Sequence, residues 1–456
     1  MIKLSTIAAI STPNAVGGIA VIRISGDNAI GVAESIFSPY GGKKVADMAG
    51  YTCAYGLAHD NGERLDDCIL TLFRAPHSYT GEDVVEISCH GGLYVTRKVL
   101  RAALANGAVN AEAGEFTKRA YLNGKLDLTQ AEAVMDIISA KGERELKMAE
   151  NLREGAAFKK AKKCSDKLLK ILGDLAAWAD YPEEDIPEVR PENLLAELND
   201  VRNDLSSLVR NYDSGRILRE GVSTAIIGRP NVGKSTLFNC LSGCERSIVT
   251  EIAGTTRDII EETVRIGDIT LRLSDTAGIH ETDDVIEGIG VDMAEKMIAS
   301  AELIIAVFDG SCPLTADDQY LINKIDKNKA VAVINKSDVE QLLDTAQIER
   351  QIKHIVYISA KENTGVEELH RNIEDIFRLN EADFDTVTVA NERQKNCIDK
   401  SLESIESAIS SLKIGEMLDA VNILIDEAEQ SLLQLTGEKV TDAVVDEVFS
   451  RFCVGK

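Results

Sequence analysis

Eight consecutive residues, from Gly228 to Ser235, limit most strongly what this chain folds into. Their sequence, Gly-Arg-Pro-Asn-Val-Gly-Lys-Ser, matches the phosphate-binding loop pattern G-x-x-x-x-G-K-[ST] at every fixed position. The preceding run from Val222 to Ile227 is typical of a short buried strand, and Ser235 to Ser242 is typical of a helix. Glycines let the backbone approach phosphates so that successive N–H groups point inward. This strand, loop and helix predict an α/β nucleotide-binding domain.

The loop residues are expected to share the contacts with the phosphates. Lys234 is expected to reach the β- and γ-phosphates, and the Ser235 hydroxyl is expected to ligate Mg²⁺. We predict that the nucleotide is bound here by Asn231, Val232, Gly233, Lys234, Ser235 and Thr236.

Two further motifs match the elements that surround Mg²⁺ and the γ-phosphate in guanine-nucleotide sites. The first is a predicted switch, in which Thr256 is a second Mg²⁺ ligand and the nucleotide contacts are Thr250, Glu251, Ile252, Ala253, Gly254, Thr255 and Thr256. The second follows the alternating strand pattern from Ile269 to Leu273 and consists of Asp275, Thr276, Ala277 and Gly278. Asp275 is expected to support Mg²⁺ through water, and the Gly278 N–H is expected to sense the γ-phosphate.

Two motifs near the end of this zone predict that the base is guanine. A predicted strand from Val331 to Ile334 leads into Asn335, Lys336, Ser337 and Asp338. The Asp338 carboxylate can accept hydrogen bonds from guanine N1–H and the 2-amino group, a donor pair that adenine lacks. A second predicted strand, Ile355 to Ile358, leads into Ser359, Ala360 and Lys361. Because the carboxyl ends of parallel strands hold ligands in such folds, the order of these motifs predicts a GTP site.

One expected catalytic residue is missing. Small signalling GTPases orient the attacking water with a glutamine shortly after the D-x-x-G element, whereas Gly278 is followed here by Ile279 and His280. Catalysis therefore needs a group from elsewhere or an ion. Glu287 is the candidate that would hold a water, and the alternative is that Glu287 is a solvated residue at the start of a helix.

Composition restricts the compartment and the partners. The 456 residues suffice for about three domains, and no apolar stretch approaches the roughly 20 residues of a membrane span. Nine cysteines without a C-x-x-C pair predict reduced thiols in the cytoplasm. A formal charge of −25 argues against a protein that binds nucleic acid alone. A nucleic-acid substrate would be held mostly by a partner protein.

The texture of the chain predicts a multidomain α+β and α/β protein. Residues 1–118 mix strand and helix patterns, residues 119–214 and 379–456 are helical, and residues 215–378 carry the nucleotide motifs. We therefore predict an N-terminal α+β domain, a helical bundle made from both helical zones, and a Ras-like P-loop α/β domain inserted between those zones.

Motifs outside the nucleotide zone resemble one family. They stand at residues Gly17–Gly26, Ser78–Glu86, Cys89–Gly92, Gly114–Ala120, Leu122–Ala133 and Phe452–Lys456. With these motifs the whole chain resembles the MnmE family, also called TrmE, of tRNA-modification GTPases. The chain departs from the family pattern at Val454 in the tail, at Ala253, and at His280, where the family often has arginine.

The resemblance implies a function that the residues alone do not. Members act in the cytoplasm with the flavoprotein MnmG (GidA), which uses FAD and NADH, to install an aminomethyl or carboxymethylaminomethyl group at C5 of the wobble uridine in tRNA. The one-carbon unit comes from 5,10-methylenetetrahydrofolate or 5-formyltetrahydrofolate. The resemblance further implies a homodimer joined through the N-terminal folate-binding domain, a heterotetramer with MnmG, and no membrane association.

The resemblance also implies roles for particular residues. By position, the folate contacts match Arg23, Glu86, Lys125 and Lys456. A potassium ion beside the phosphates would be held by Asn231, Thr250, Ile252 and Thr255. Glu287 matches the residue that positions water. Without the resemblance, Arg23 would be interpreted as a strand residue on a polar face, and the role of Cys453 stays open.

Two other functions fit the same nucleotide motifs. A ribosome-assembly GTPase related to Era and Der would share them, but it would add an RNA-binding module or a second GTPase domain that this sequence lacks. A dimeric scaffold that holds GTP as a structural ligand would not need the full set of magnesium and guanine contacts. Hydrolysis stimulated by potassium would separate an enzyme from such a scaffold.

Overall fold

The computed structural model describes residues 5–180, 190–244, 262–273, 298–377 and 389–456. The chain forms two compact units, and both are assembled from separated stretches of sequence. The first unit contains Met1–Ile138, Leu152–Ser206 and Glu392–Lys456, and the second contains Ser139–Asn151 and Ser207–Asn391.

A seven-stranded sheet forms the N-terminal part of the first unit, in the order β3-β4-β5-β6-β2-β1-β7. Its strands are β1 (Ile7–Ile10), β2 (Ile19–Ser25), β3 (Phe37–Pro39), β4 (Thr52–Asp60), β5 (Glu63–Phe73), β6 (Val84–His90) and β7 (Val109–Asn110). All neighbouring strands are antiparallel except β1 and β7.

Two helices, α1 (Ala29–Ile36) and α2 (Leu93–Ala105), cover one face of this sheet. Alternate strand residues such as Ile22 and Ile87 point into the core between sheet and helices, and both are fully buried. The other face carries the residues between them, including Arg23 on β2 and Glu86 on β6, which are directly paired across the two strands. The alternation of strand side chains thus separates an apolar core from a face with polar groups.

The remaining elements of the first unit, among the described residues, are mainly helices. They are α3 (Glu115–Leu122), α4 (Leu128–Ser139), α6 (Ala156–Asp180), α7 (Pro191–Val209), α13 (Glu392–Ile414), α14 (Leu418–Thr436) and α15 (Asp442–Ser450). A buried ion pair joins two of them: Arg393 on α13 donates to both carboxylate oxygens of Glu132 on α4, each at 2.8 Å. Gln394 donates to the same carboxylate at 2.5 Å. The N-terminal and C-terminal helical zones therefore pack together, as predicted.

The second unit is built on a six-stranded sheet in the order β13-β12-β11-β8-β10-β9. The strands are β8 (Val222–Ile227), β9 (Glu262–Ile266), β10 (Ile269–Leu273), β11 (Leu303–Asp309), β12 (Ala330–Asn335) and β13 (His354–Ile358). All are parallel except β9, which forms an antiparallel hairpin with β10. Every residue of β11 and β12 is buried, as expected for central strands covered on both faces.

Helices pack on both faces of this sheet. In the described residues they are α5 (Glu143–Arg153), α8 (Tyr212–Glu220), α9 (Lys234–Cys244), α10 (Ala316–Lys324), α11 (Ala346–Gln351) and α12 (Val366–Ile376). Val331 and Val333 point into one apolar core, and Ala332 and Ile334 point into the other. Met148 of α5 belongs to the first of these cores.

The predicted fold class is confirmed: an N-terminal α+β domain, a helical region and a P-loop α/β fold are all present. Pro191 suits the first turn of a helix, and the sequence pattern predicts one helix from there to Tyr212. This prediction is wrong at the end of the helix: α7 stops at Val209, and α8 begins at Tyr212 after a break at Arg210 and Asn211. The structure also places residues 139–151 in the second unit, although the sequence pattern grouped them with the helical zone. The exact domain boundaries stay a prediction.

Candidate functional site

The phosphate-binding loop lies between β8 and α9, at the carboxyl end of a central strand. Gly233 has a φ of 96°, and a Cβ atom there would lie 2.2 Å from Nδ2 of Asn335, so only glycine fits. Asn231 also adopts a left-handed conformation, with a φ of 64°. Nζ of Lys234 donates to the carbonyls of Gly228 at 2.9 Å and Arg229 at 3.0 Å. The ammonium group therefore lies across the loop, where phosphates would replace the carbonyl contacts.

Burial lowers the pKa of Lys234. A buried ammonium gains from an anionic partner, and a bound phosphate is such a partner. Ser235 and Thr236 lie in the first turn of α9 and are exposed, so the Ser235 hydroxyl is open to a cation. The residues of the loop therefore fit a magnesium-bound nucleotide, as far as they are described.

Asn335 joins the loop to both predicted guanine-binding motifs. Its Nδ2 donates to the carbonyl of Val232 at 2.8 Å, and its Oδ1 accepts from the Ala360 amide at 3.1 Å. Asn335 is only 3 % exposed, so these bonds are shielded from water. One buried amide therefore sets the spacing between the phosphate loop and the Ser-Ala-Lys segment.

Asp338 is held by a neighbour from the Ser-Ala-Lys segment. The Ser359 hydroxyl donates to Oδ1 of Asp338 at 2.6 Å, and this bond holds the pKa of Asp338 below its usual range. The carboxylate is therefore charged at neutral pH and oriented before a base arrives. Lys361 is exposed at the same edge, and its Nζ lies 3.9 Å from the Glu362 carboxylate.

The end of β11 and the segment after it contribute residues that the motifs did not predict. Nζ of Lys336 lies 2.6 Å from Oδ2 of Asp309, the last residue of β11. Burial alone would raise the pKa of Asp309, but hydrogen bonds from Lys336 and Ser311 outweigh it and keep the pKa low. The sequence signal that could have identified Asp309 was its position at the carboxyl end of a buried strand.

The same loop contacts the phosphate-binding loop at its other end. Nε of Arg229 lies 3.3 Å from Asp318, which is 2 % exposed, and the guanidinium also donates to Sγ of Cys312 at 2.6 Å. Asp318 forms a capping box with Thr315 at the start of α10. The segment from Asp309 to Asp318 thus links the phosphate-binding loop to the guanine-binding motif.

Several predicted site residues lie outside the described residues. They are the first switch with Thr250, Glu251, Ile252, Ala253, Gly254, Thr255 and Thr256, the second element with Asp275, Thr276, Ala277 and Gly278, and Glu287. Their roles, including the predicted ligation of magnesium and potassium, stay predictions.

A second cluster lies in the first unit, on the face of the N-terminal sheet opposite α1 and α2. The Arg23 guanidinium contacts Oε1 of Glu86, with Nε and NH2 both at 2.8 Å. The ring centroids of Tyr79 and Phe116 lie 5.7 Å and 5.6 Å from Arg23 Cζ. The guanidinium is thus fixed by one carboxylate and two aromatic rings.

The C-terminal tail completes this cluster. Gly455 has a φ of 97°, and its carbonyl accepts from the Ser11 hydroxyl at 3.0 Å and from Arg23 NH1 at 3.4 Å. The Phe116 amide donates to the carbonyl of Lys456 at 3.2 Å. Burial lowers the pKa of Lys456, and the Arg23 charge adds to the effect. The tail therefore brings a second cation beside Arg23 and Glu86.

Of the four predicted folate residues, three thus meet in one cluster. Lys125 instead donates from Nζ to the carbonyl of Pro76 at 3.1 Å. Arg119, which the sequence analysis quoted only as part of a motif, is 1 % exposed and pairs with Glu82 and Glu115. That network supports the segment carrying Tyr79, whose hydroxyl lies 2.9 Å from Oγ1 of Thr117.

No helix in the described ranges combines the length and the apolar composition that crossing a bilayer demands.

Comparisons with known proteins cover the whole chain. A family model described as the MnmE helical domain matches residues 128–453, and one described as the GTP-binding protein TrmE N-terminus matches residues 6–125. A protein of Acetivibrio thermocellus, named tRNA modification GTPase MnmE, is 42 % identical over 100 % of this chain and 100 % of its own. Proteins of the same name from Clostridioides difficile and Carboxydothermus hydrogenoformans are 40 % and 41 % identical, each over 99 % of both chains.

Proposed function

The chain belongs to the MnmE family of tRNA modification GTPases, and on that premise we propose that it couples GTP hydrolysis to the modification of the wobble uridine in tRNA. In this proposal it works in the cytoplasm with the flavoprotein MnmG, which uses FAD and NADH and holds most of the tRNA. The product carries an aminomethyl or carboxymethylaminomethyl group at C5. The observation that supports the GTPase part most directly is the convergence of three nucleotide motifs on the buried amide of Asn335.

In the nucleotide site, each predicted residue has a defined task in this proposal. Lys234 neutralises the β- and γ-phosphates, Ser235 and Thr256 ligate Mg²⁺, and Asp338 accepts the two guanine donors. Potassium, when bound, supplies positive charge beside the phosphates. Its ligands in the proposal are Asn231, Thr250, Ile252 and Thr255, and Glu287 orients the attacking water.

In the first unit, we assign the Arg23 cluster to a reduced folate, either 5,10-methylenetetrahydrofolate or 5-formyltetrahydrofolate, which supplies the one-carbon unit. Both contacts from Arg23 go to Oε1 of Glu86, so we assign Oε2 to the donors of the pterin edge. Lys456 and Arg23 suit the carboxylates of the glutamate tail, because charged hydrogen bonds to carboxylates are strong. Lys125 would join the site when its contact with Pro76 is exchanged for the ligand.

We further propose that the chain forms a homodimer through the exposed part of this face of the N-terminal sheet, at β4 and β5, and a heterotetramer with MnmG. Tyr55 and Ile69 face each other across β4 and β5, and they are 59 % and 49 % exposed. Tyr40 packs against Tyr55 with ring centroids 5.2 Å apart. An exposed apolar patch of this kind fits burial against a second copy.

The proposal is tested by reconstitution. Purified protein, MnmG, unmodified tRNA, GTP, a reduced folate, FAD, NADH and ammonium are incubated in potassium or sodium buffer, and the nucleosides are analysed by mass spectrometry. We expect modified wobble uridine in potassium, with faster phosphate release than in sodium. Absence of the modified nucleoside while GTP is hydrolysed would remove the tRNA assignment, and equal phosphate release in the two buffers would remove the potassium assignment.

A variant separates the folate site from the nucleotide site. Arg23→Ala removes the partner of Glu86 and should abolish binding of the reduced folate in calorimetric titration. Because Arg23 lies in the first unit, GTP hydrolysis should stay near the parent rate. Full folate affinity in a folded Arg23→Ala protein contradicts the assignment of the cluster.

A further inference from the structure

Helix α5 packs with a part of the chain from which it is far removed in sequence. Residues 139–151 belong to the second unit, whereas Met1–Ile138 before them and Leu152–Ser206 after them belong to the first. Met148 is 9 % exposed and lies in the apolar core of the second unit. The chain thus leaves the first unit to deliver one short helix to the nucleotide-binding unit and then returns.

An arginine at the start of α5 connects it to two other elements of the second unit. Nε of Arg144 lies 3.4 Å from Oδ2 of Asp268, and NH1 lies 3.3 Å from Oε1 of Glu374 on α12. Glu374 is the more buried carboxylate, with its side chain 11 % exposed against 29 % for Asp268. We call Arg144, Asp268 and Glu374 the Arg144 clamp.

Asp268 lies in the turn between β9 and β10, and in the sequence this hairpin stands between two predicted nucleotide motifs. The segment before β9 contains the predicted first switch with Thr256, and the segment after β10 contains Asp275. The two strands pair in register from Glu262 with Leu273 to Ile266 with Ile269. Hydrogen bonds join the two strands along their whole length, which makes the hairpin a continuous connection between its open end and the turn.

The turn itself is tightly held. Nε of Arg265 donates to the Gly267 carbonyl at 2.7 Å, and its NH2 lies 3.7 Å from Asp268. A Cβ atom on Gly267 would lie 2.2 Å from Nε2 of His370, so the turn is in close contact with α12. The turn therefore offers a firm attachment point.

We propose that Arg144 is a positioning residue that couples the nucleotide-dependent state of the β9–β10 hairpin to helix α5, and through the chain to the unit that carries the Arg23 cluster. The first step rests only on GTP binding by this family. The last step, transmission to tRNA modification, rests on the proposed function.

Arg144 and Asp268 are both partly exposed, and such ion pairs add little to the free energy of folding. Loss of Arg144 leaves Glu374 with a neighbour, since Nε2 of His370 lies 3.4 Å from its Oε1. A variant at Arg144 is therefore expected to fold and to lose the connection.

Hydrogen exchange in the full-length protein tests the first step. Exchange of α5 and of the β9–β10 hairpin is compared between GDP and a non-hydrolysable GTP analogue, with magnesium present. We expect both segments of the parent protein to respond to the nucleotide. In Arg144→Met and in Asp268→Ala, the hairpin should still respond and α5 should not.

The matched control is Arg216→Met. Arg216 pairs with Glu302 at 2.7 Å with similar exposure, in the same unit but outside the Arg144 clamp. This control should keep both responses. An unchanged α5 response in Arg144→Met, or an α5 of the parent protein that ignores the nucleotide, overturns the proposal.

The second arm compares two rates in the same variant. For Arg144→Met we expect GTP hydrolysis within about twofold of the parent rate and tRNA modification about tenfold slower, a size typical of coupling between sites. Arg144→Lys should restore part of the modification rate. Equal loss of both rates together with a lower melting temperature indicates a purely structural contact and overturns the proposal.

The two arms also separate this proposal from the proposed function. If the parent protein modifies no tRNA, the proposed function fails, and the exchange measurement alone decides whether Arg144 couples the hairpin to α5.

Discussion

Replacing Asn335 with alanine would break the connection between the phosphate-binding loop and the Ser-Ala-Lys segment. The substitution removes the donor to the Val232 carbonyl and the acceptor for the Ala360 amide. Val232 is fully buried and Ala360 is 7 % exposed, so water has poor access to either group. Both partners are then left without the hydrogen bond that the folded protein provides.

The size of the effect follows from these two groups. A buried polar group that loses its partner costs about 1–3 kcal/mol, so the two together cost about 2–6 kcal/mol. Part of this cost lowers the free energy of unfolding of the second unit. The remainder weakens nucleotide binding, because both disconnected segments are expected to contact the nucleotide. We therefore expect the affinities for GDP and GTP to fall at least about tenfold.

Asn335→Asp refines the test because it keeps the shape of the side chain. One oxygen can still accept from the Ala360 amide, but the other faces the Val232 carbonyl with no hydrogen to donate. We therefore expect weaker nucleotide binding here as well, although the side chain fills the same space and leaves no cavity.

Two measurements check this reasoning: titration with a fluorescent guanine nucleotide, and unfolding by urea with and without nucleotide. The preference for guanosine over xanthosine nucleotides should stay as in the parent, because Asp338 is untouched. If Asn335→Ala keeps both the parent affinity and the parent stability, the hydrogen bonds of Asn335 do not organise the site.

Three further outcomes are expected. Asp338→Asn should lower the affinity for GTP and raise the affinity for xanthosine triphosphate, since an amide suits the extra carbonyl of xanthine. Unchanged affinities for both nucleotides would show that the guanine-binding loop is assigned wrongly. Glu287→Ala should keep GTP binding while kcat falls by about two to four powers of ten. An unaltered kcat would favour the alternative, that Glu287 is a solvated residue without a catalytic role. Burial raises the pKa of Glu429, so ionisation destabilises the native state as the pH rises above the unfolded-state pKa. Glu429→Gln keeps the acceptor for the Ser165 hydroxyl, so it should raise the melting temperature near pH 8 and leave it unchanged near pH 4. Calorimetry at both pH values measures this, and an unchanged melting temperature near pH 8 would contradict the prediction.

Local sequence patterns predicted the strands that carry the nucleotide motifs. Val222–Ile227 and Ile269–Leu273 form strands with the predicted bounds. Each is a short apolar or alternating run bounded by residues that favour turns, so the signal lies within the segment itself.

Strand β4 shows why other elements were missed. Its sequence from Thr52 to Asp60 contains Gly56 and lacks a steady alternation of apolar and polar residues. The strand forms because β3 and β5 pair with it on both sides, and Gly56 lies so close to Ser38 that a Cβ atom would be 2.4 Å from its carbonyl. Strand propensity is thus overridden by pairing with neighbours.

The residues of the candidate sites also differ in whether a local sequence pattern could predict them. Motif order placed Asn335 and Asp338 correctly at the end of β12, but the support from Asp309 depends on a different strand. The ion pairs of Arg119 with Glu82 and of Arg144 with Glu374 join residues 37 and 230 positions apart. No local pattern identifies such partners, because a charged residue in a sequence does not indicate which opposite charge the fold brings to it.

The membership of α5 in the second unit also affects how this protein can be divided. The contiguous stretch 207–391 lacks Met148, and without it an apolar core is left incomplete. Insertion of one domain into another is tolerated most easily where both ends of the inserted domain lie close together. Here the second unit is built from two separate insertions on either side of Leu152–Ser206, so its removal or exchange would require two matched changes in the gene. We therefore expect the two units to be inherited together, and domain shuffling to leave this pair intact.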